Sequence, residues 1–158
     1  MKKILVAVDD TKGSKSAVMT FTTCIMDFKP LEVVLVHVEK IEGRSLMDEM
    51  LGEPEMATLR DAVKDTDLQR LLDRKAEKIF AIYRTAFADA GCKSVRSVLR
   101  IGHPAEEILA VATAEGADMI VIGARSTRST HRLMGSVSRE VADHAEVPVL
   151  IVRNREAR

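Results

Sequence analysis

The chain has 158 residues, 46% hydrophobic and 30% charged, with 24 Lys plus Arg against 24 Asp plus Glu. That length fits one domain with a real core, not two. The charge balance excludes the whole-molecule bias that nucleic acid or an acidic membrane surface attracts, so any anion site must be local. No apolar run approaches membrane-spanning length, and the basic opening Met1-Lys2-Lys3 leads into only five apolar residues before Asp9, too short a core for a signal peptide. Cys24 and Cys92 are far apart and lack metal-ligand spacing. A reducing, cytoplasmic setting is the expectation.

Ile4–Val8 is a continuous apolar run closed by Asp9-Asp10. Such a run suits a strand buried on both faces inside a parallel sheet. Gly13-Ser14 can open a helix, with Ser14 as the expected N-cap. Ala17, Phe21, Cys24 and Phe28 then recur at steps of 4, 3 and 4 on one face, and Pro30 stops the helix. Val33–Val38 is a second buried strand, in which His37 reads as a hydrogen-bonded structural residue. Glu39–Asp67 is irregular, with Gly43, Gly52 and Pro54, and Met47, Met50 and Met56 among acids. It reads as a flap, a short helix or a partly ordered excursion. Its methionines either serve a pocket or partner or pack on the nearest core edge.

Leu72, Ala76, Ile79, Tyr83 and Phe87 keep helical spacing, and Asp89-Ala90-Gly91 ends that helix with Gly91 at C′. Cys92 follows in the turn. Val95–Leu99 alternates Val95, Ser97 and Leu99, the pattern of an edge strand. Gly102-His103-Pro104 turns into a helix with Pro104 near its first position and Glu106-Glu107 in its first turn, both favourable there. Ile108, Leu109, Val111 and Ala112 form its apolar side, and Glu115-Gly116-Ala117 ends it. Met119–Ile122 is a buried, β-branched strand ended by Gly123. Val137 to His144 can be a helix opened by Gly135-Ser136. Val147–Val152 is the last strand, with Pro148 near its start, and Asn154–Arg158 is a polar tail.

Strands alternating with helices imply an α/β, three-layer, doubly wound parallel sheet in a single domain. Ligands bind such sheets beyond the carboxyl ends of the strands, where strand order reverses. Asp9 and Gly123 both sit at carboxyl ends. If the first and fourth strands are neighbours, a carboxylate and an anion site face each other across a crevice. The stretch Met119–Ser138 has the makings of that anion site: strand, loop with small residues, helix start. No acid lies between Asp118 and Glu140, whereas Arg125, Arg128, Arg132 and Arg139 do. The same Ser, Gly and Arg also suit a merely solvated loop.

In this order and spacing the residues resemble the universal stress protein family over nearly the whole chain. The matching features are Lys3-Ile4-Leu5-Val6 running into Val8-Asp9, Leu35-Val36-His37-Val38, Gly102-His103-Pro104, Ala117-Asp118-Met119-Ile120-Val121-Ile122-Gly123, Gly135-Ser136-Val137 and Val147-Pro148-Val149-Leu150-Ile151-Val152. The resemblance implies a five-stranded sheet of order 3-2-1-4-5 and a domain of the adenine nucleotide alpha hydrolase-like kind over residues 1–153. ATP-binding members of the family carry Gly, two residues, Gly, nine residues, Gly, then Ser or Thr. Here Ser126 replaces the second Gly and eight residues, Thr127–Met134, precede Gly135-Ser136. By resemblance, Ala7, Val8, Asp9 and Val38 line adenine and ribose. Gly123, Arg125, Ser126, Gly135, Ser136, Val137 and Ser138 attend the phosphates. Asp9 is the candidate contact for a nucleotide-bound Mg or Mn.

The expected function is a cytoplasmic, dimeric module that binds ATP (or AMP or ADP) with Mg or Mn in the stress response. Its second chain would pair through strand 147–152. The alternative is a nucleotide-free interaction or scaffold protein on the same fold. No Ser/His/Asp or Cys/His arrangement and no Gly-Lys-Ser/Thr phosphate loop is legible, so the chain is expected not to be an enzyme. Weak ATP hydrolysis stays open, with His131 the only histidine near the proposed phosphates.

Overall fold

A computed structural model of the protein describes residues 2–24, 32–40, 67–124 and 134–153. Five strands, β1 (Lys3–Ala7), β2 (Glu32–Glu39), β3 (Val95–Ile101), β4 (Met119–Gly123) and β5 (Val149–Val152), alternate with α1 (Lys12–Cys24), α2 (Asp67–Asp89), α3 (Pro104–Glu115) and α4 (Ser136–His144). The strands form one sheet of order β3-β2-β1-β4-β5, and every pairing is parallel. β1 lies between β2, in register Ile4↔Val33, and β4, in register Ile4↔Met119.

Alternation along the strands splits the core into two layers. Ile4, Val6, Val8, Val33, Leu35 and Val121 point to the side covered by Val18 and Phe21 of α1 and Ala76, Ile79, Phe80, Tyr83 and Phe87 of α2. Leu5, Ala7, Val34, Val36, Ile120 and Ile122 point to the side covered by Ala105, Ile108, Val111 and Ala112 of α3 and Val141 of α4. Burying one such large side chain contributes about 1.5–3 kcal/mol before the entropic cost. Phe21 and Phe87 meet edge-to-face at 5.6 Å and tie α1 to α2.

The ends of the elements follow local chemistry. α2 closes as the Gly91 reading expects: Gly91 adopts φ +85°, its N–H reaches Ala88 O, and the Cys92 N–H reaches Phe87 O. Pro104 stands at the start of α3, and Gly116 ends it in the left-handed region. Two expectations need correction. α1 begins at Lys12 and its cap is Thr11, whose Oγ1 accepts the Ser14 N–H at 3.2 Å; Ser14 lies inside the first turn. β5 begins at Val149 rather than Val147, although the Pro148 carbonyl still accepts the Ile120 N–H.

Among the described residues no helix is long and apolar enough to cross a membrane. Phe28, Pro30, residues 41–66, residues 125–133 and the 154–158 tail lie outside the described residues.

Candidate functional site

A crevice of about 270 Å³ opens beyond the carboxyl ends of β1, β2 and β4, close to the lower end of ligand clefts, about 300–1,000 Å³. It sits where strand order reverses, between β1 and β4. Its floor is Ala7 to Asp10. One wall is the end of β2 with Lys75 of α2; the other is Gly123-Ala124 and the first turn of α4, with Pro104 and Ile108 of α3 alongside.

Asp9 is held from several directions. Its Oδ1 accepts the Thr11 N–H at 2.8 Å and the Thr11 hydroxyl at 2.5 Å, a side-chain turn that orders the entry to α1. Its N–H donates to Ser14 Oγ at 2.9 Å. Its carbonyl accepts the Tyr83 hydroxyl at 2.6 Å, and Ser14 Oγ lies 2.9 Å from the same phenol oxygen. Burial pushes the Tyr83 phenol above its ordinary value; the Ser14 contact opposes this, and the charges of Asp9 and Asp10 reinforce it. Among the described residues Asp9 Oδ2 has no such partner.

The opposite wall is built from backbone. A Cβ on Gly123 would stand 2.9 Å from the Gly13 carbonyl carbon and oxygen and 3.2 Å from the Ser14 N. The end of β4 therefore touches the start of α1 main chain to main chain, which only glycine permits. α4 starts from Gly135 in extended conformation without a side-chain cap, and α3 starts from His103, also without one. Both first turns border the crevice, so two positive dipole ends with uncapped N–H groups lie on its rim. Ser138 is buried and its hydroxyl donates to Gly135 O at 3.1 Å, leaving the exposed Ser136 as the free hydroxyl of that turn among the described residues.

At the β2 end, His37 is the hydrogen-bonded structural residue expected of it. It is buried, and its Nδ1 lies 2.8 Å from the Val8 carbonyl. A carbonyl can only accept, so Nδ1 carries a proton. Its Nε2 is 3.4 Å from Glu39 Oε1, which also pairs with Lys75 Nζ at 2.7 Å. Burial pushes the Glu39 carboxyl up, yet the hydrogen bonds from Lys75 and His37 and their charges outweigh it, and the net direction is down.

Ala7, Val8, Asp9, Val38, Gly123, Gly135, Ser136, Val137 and Ser138 all line this one crevice. Arg125 and Ser126 lie outside the described residues. Sequence reasoning missed Thr11, Ser14, Glu39, Lys75 and Tyr83. For Thr11 the signal was present, as Asp-x-Thr before a helix is a turn-and-cap pattern. For Tyr83 there was none, since it falls in step with the apolar face of its helix. Among the described residues no group of three or more His, Cys, Asp or Glu could hold a metal.

Comparison with known proteins agrees with this architecture. The profile of the universal stress protein family matches residues 1–153. The chain is 29% identical to universal stress protein MJ0577 of Methanocaldococcus jannaschii, covering 99% of this chain and 97% of that one. It is 30% identical to universal stress protein YxiE of Bacillus subtilis, covering 96% and 98%. The solved structure of MJ0577 superposes with a TM-score of 0.71 at 26% identity, over 99% and 98% of the two chains. A family protein from Arabidopsis thaliana, solved with AMP bound, shares the fold with a TM-score of 0.64 at 18% identity, over 99% and 94%. By sequence, by strand order and by the sheet on which its crevice is built, the chain belongs to the universal stress protein family.

Proposed function

We propose that the protein is a cytoplasmic adenine-nucleotide-binding module of the stress response, working as a homodimer and not as an enzyme. The observation that carries the reading is the pairing across one crevice of Asp9, with Oδ2 unpartnered among the described residues, and the uncapped first turn of α4. Ala7, Val8 and Val38 supply an apolar surface for adenine. Asp9 Oδ2 accepts from a ribose hydroxyl or helps hold a phosphate-bound Mg or Mn. The main-chain N–H groups of Ser136, Val137 and Ser138, with the Ser136 hydroxyl, take the phosphates, and Arg125 and Ser126 join them. ATP, ADP and AMP share everything this arrangement reads except phosphate number.

Thermal unfolding with ATP and magnesium, ADP or AMP tests the reading. A ligand at 100 times its Kd should stabilise the fold by about 2.7 kcal/mol. No shift with any of the three nucleotides would sink it. The second reading, a nucleotide-free scaffold, is favoured by one observation: contact with Gly13 explains Gly123 without any ligand.

The edge of the sheet supports the dimer. The Pro148 and Val152 carbonyls accept from Ile120 of β4 and from Ala124 just beyond it, so by alternation Val149 and Ile151 turn their N–H and C=O outward. An open apolar edge of this kind is an aggregation hazard unless a second copy covers it. Ile151→Pro removes one outward donor without touching the ladder to β4. Sedimentation should then report a monomer in place of a dimer.

A further inference from the structure

Tyr83 is buried to 2% exposure on α2 and does not line the crevice, yet its hydroxyl reaches the residue on which the crevice is centred. The three polar contacts close into a ring. The Asp9 N–H donates to Ser14 Oγ at 2.9 Å. The Tyr83 hydroxyl has one proton, and the Asp9 carbonyl at 2.6 Å can only accept it. The 2.9 Å contact between Ser14 and Tyr83 must then run from the Ser14 hydroxyl to the phenol oxygen. Every donor in the ring has one acceptor, and Asp9 is gripped by both its N–H and its C=O. The ring is buried at Ser14, 5% exposed, as well as at Tyr83, so water cannot readily replace a lost member. A phenol raised above its ordinary value keeps the donor proton at all physiological pH.

We infer that Tyr83 is a positioning residue for the ligand: through this ring it fixes the main chain of Asp9, and thereby the carboxylate that the crevice offers to a ribose. The inference rests on the adenine-nucleotide reading. It assigns part of the affinity to Tyr83 of α2, a side chain outside the lining of the crevice. It also separates two ligand classes. AMP needs the Asp9 carboxylate for its ribose. Inorganic triphosphate has no ribose and is held by the phosphate-binding groups, among them the N–H groups of α4's first turn, without the Asp9 ribose contact.

The test uses the full chain carrying Tyr83→Phe, with Ser14→Ala as the second variant in case the first does not fold. Affinities for AMP and for inorganic triphosphate are measured by calorimetry, and exchange of the Asp9 amide by NMR. The expected result is about a fivefold to tenfold loss of AMP affinity, the scale of one hydrogen bond's net worth. Triphosphate affinity should stay within about twofold, and the Asp9 amide should exchange about tenfold faster. In the Asp9→Asn background Tyr83→Phe should add no further AMP loss, since coupled residues are non-additive. AMP affinity unchanged in Tyr83→Phe, equal losses for both ligands, or an AMP loss without faster Asp9 exchange each overturns the inference. Wild-type protein that binds neither ligand overturns the nucleotide reading instead. The clamp then stands if Asp9 exchange quickens in the variant and falls if it does not.

Discussion

The two ends of the sheet handle polar groups in opposite ways. At the amino end, charge meets charge. Lys3 Nζ lies 3.4 Å from Glu32 and 3.3 Å from Glu115, and Arg96 bridges the same two carboxylates. Asp118 accepts the N–H groups of Lys2 and Lys3. The Arg96 guanidinium, above all, holds the Glu32 and Glu115 carboxyls below their ordinary range; backbone N–H groups do the same for Asp118. At the carboxyl end, apart from the Glu39–Lys75 pair, Thr11, Ser14, Tyr83 and Ser138 grip backbone, and the N-termini of α3 and α4 carry no side-chain cap. One end is electrostatically closed. The other keeps hydrogen-bonding capacity in hand, which is what a ligand site needs and a purely structural end does not.

The largest expected effect tests whether Gly123 belongs to the packing or to the site. Gly123→Ala sets a methyl group 2.9 Å from Gly13 backbone, and overpacking of this kind costs about 1–3 kcal/mol. Denaturant melts should show that loss. Full stability combined with lost AMP binding would instead move Gly123 to the ligand's account. Next comes Asp9→Asn, which keeps an acceptor for Thr11 but removes the charge. AMP affinity by calorimetry should fall about tenfold, or ~1.4 kcal/mol, with a smaller change in the melt.

The smallest effect lies at the closed end. Glu115→Gln should cost at most about 1 kcal/mol, as exposed ion pairs do, and leave AMP affinity untouched. A changed affinity would mean the two ends are coupled. The same variant sharpens the pH dependence. Because the folded Glu115 carboxyl titrates below its ordinary 4.5, its contribution is present above that value and is lost as pH falls through the lowered one. Urea melts from neutral to acid pH should therefore lose stability more steeply in wild type than in Glu115→Gln.

Much of the fold was legible because burial on both faces leaves an unbroken apolar run. Ile4–Val8, Val33–Val38 and Met119–Ile122 read as central strands for that reason, and the alternation of Val95, Ser97 and Leu99 read as an edge. Gly91 and Pro104 mark helix ends through constraints that act within a residue or two. The site was legible only where it is local. Asp9 and the Gly135-Ser136 turn announce themselves by following a strand or opening a helix. The Ser14 cap was misplaced by one turn of helix because Thr11 and Ser14 carry the same capping chemistry, and only the chain's entry angle chooses between them. Tyr83 was read as core, which is true of its ring; its hydroxyl is tied to a residue 74 positions away, and no pattern within a helix encodes that.

The pairing of Ile4 with Met119 has a consequence for how the chain is made. The central strand β1 is made well before β4, one of its two neighbours in the sheet. Until β4 leaves the ribosome, the apolar run Ile4–Ala7 of β1 has an open flank, and non-local parallel pairing is slow to form. The late partner therefore sets when the apolar faces of β1 can be fully covered.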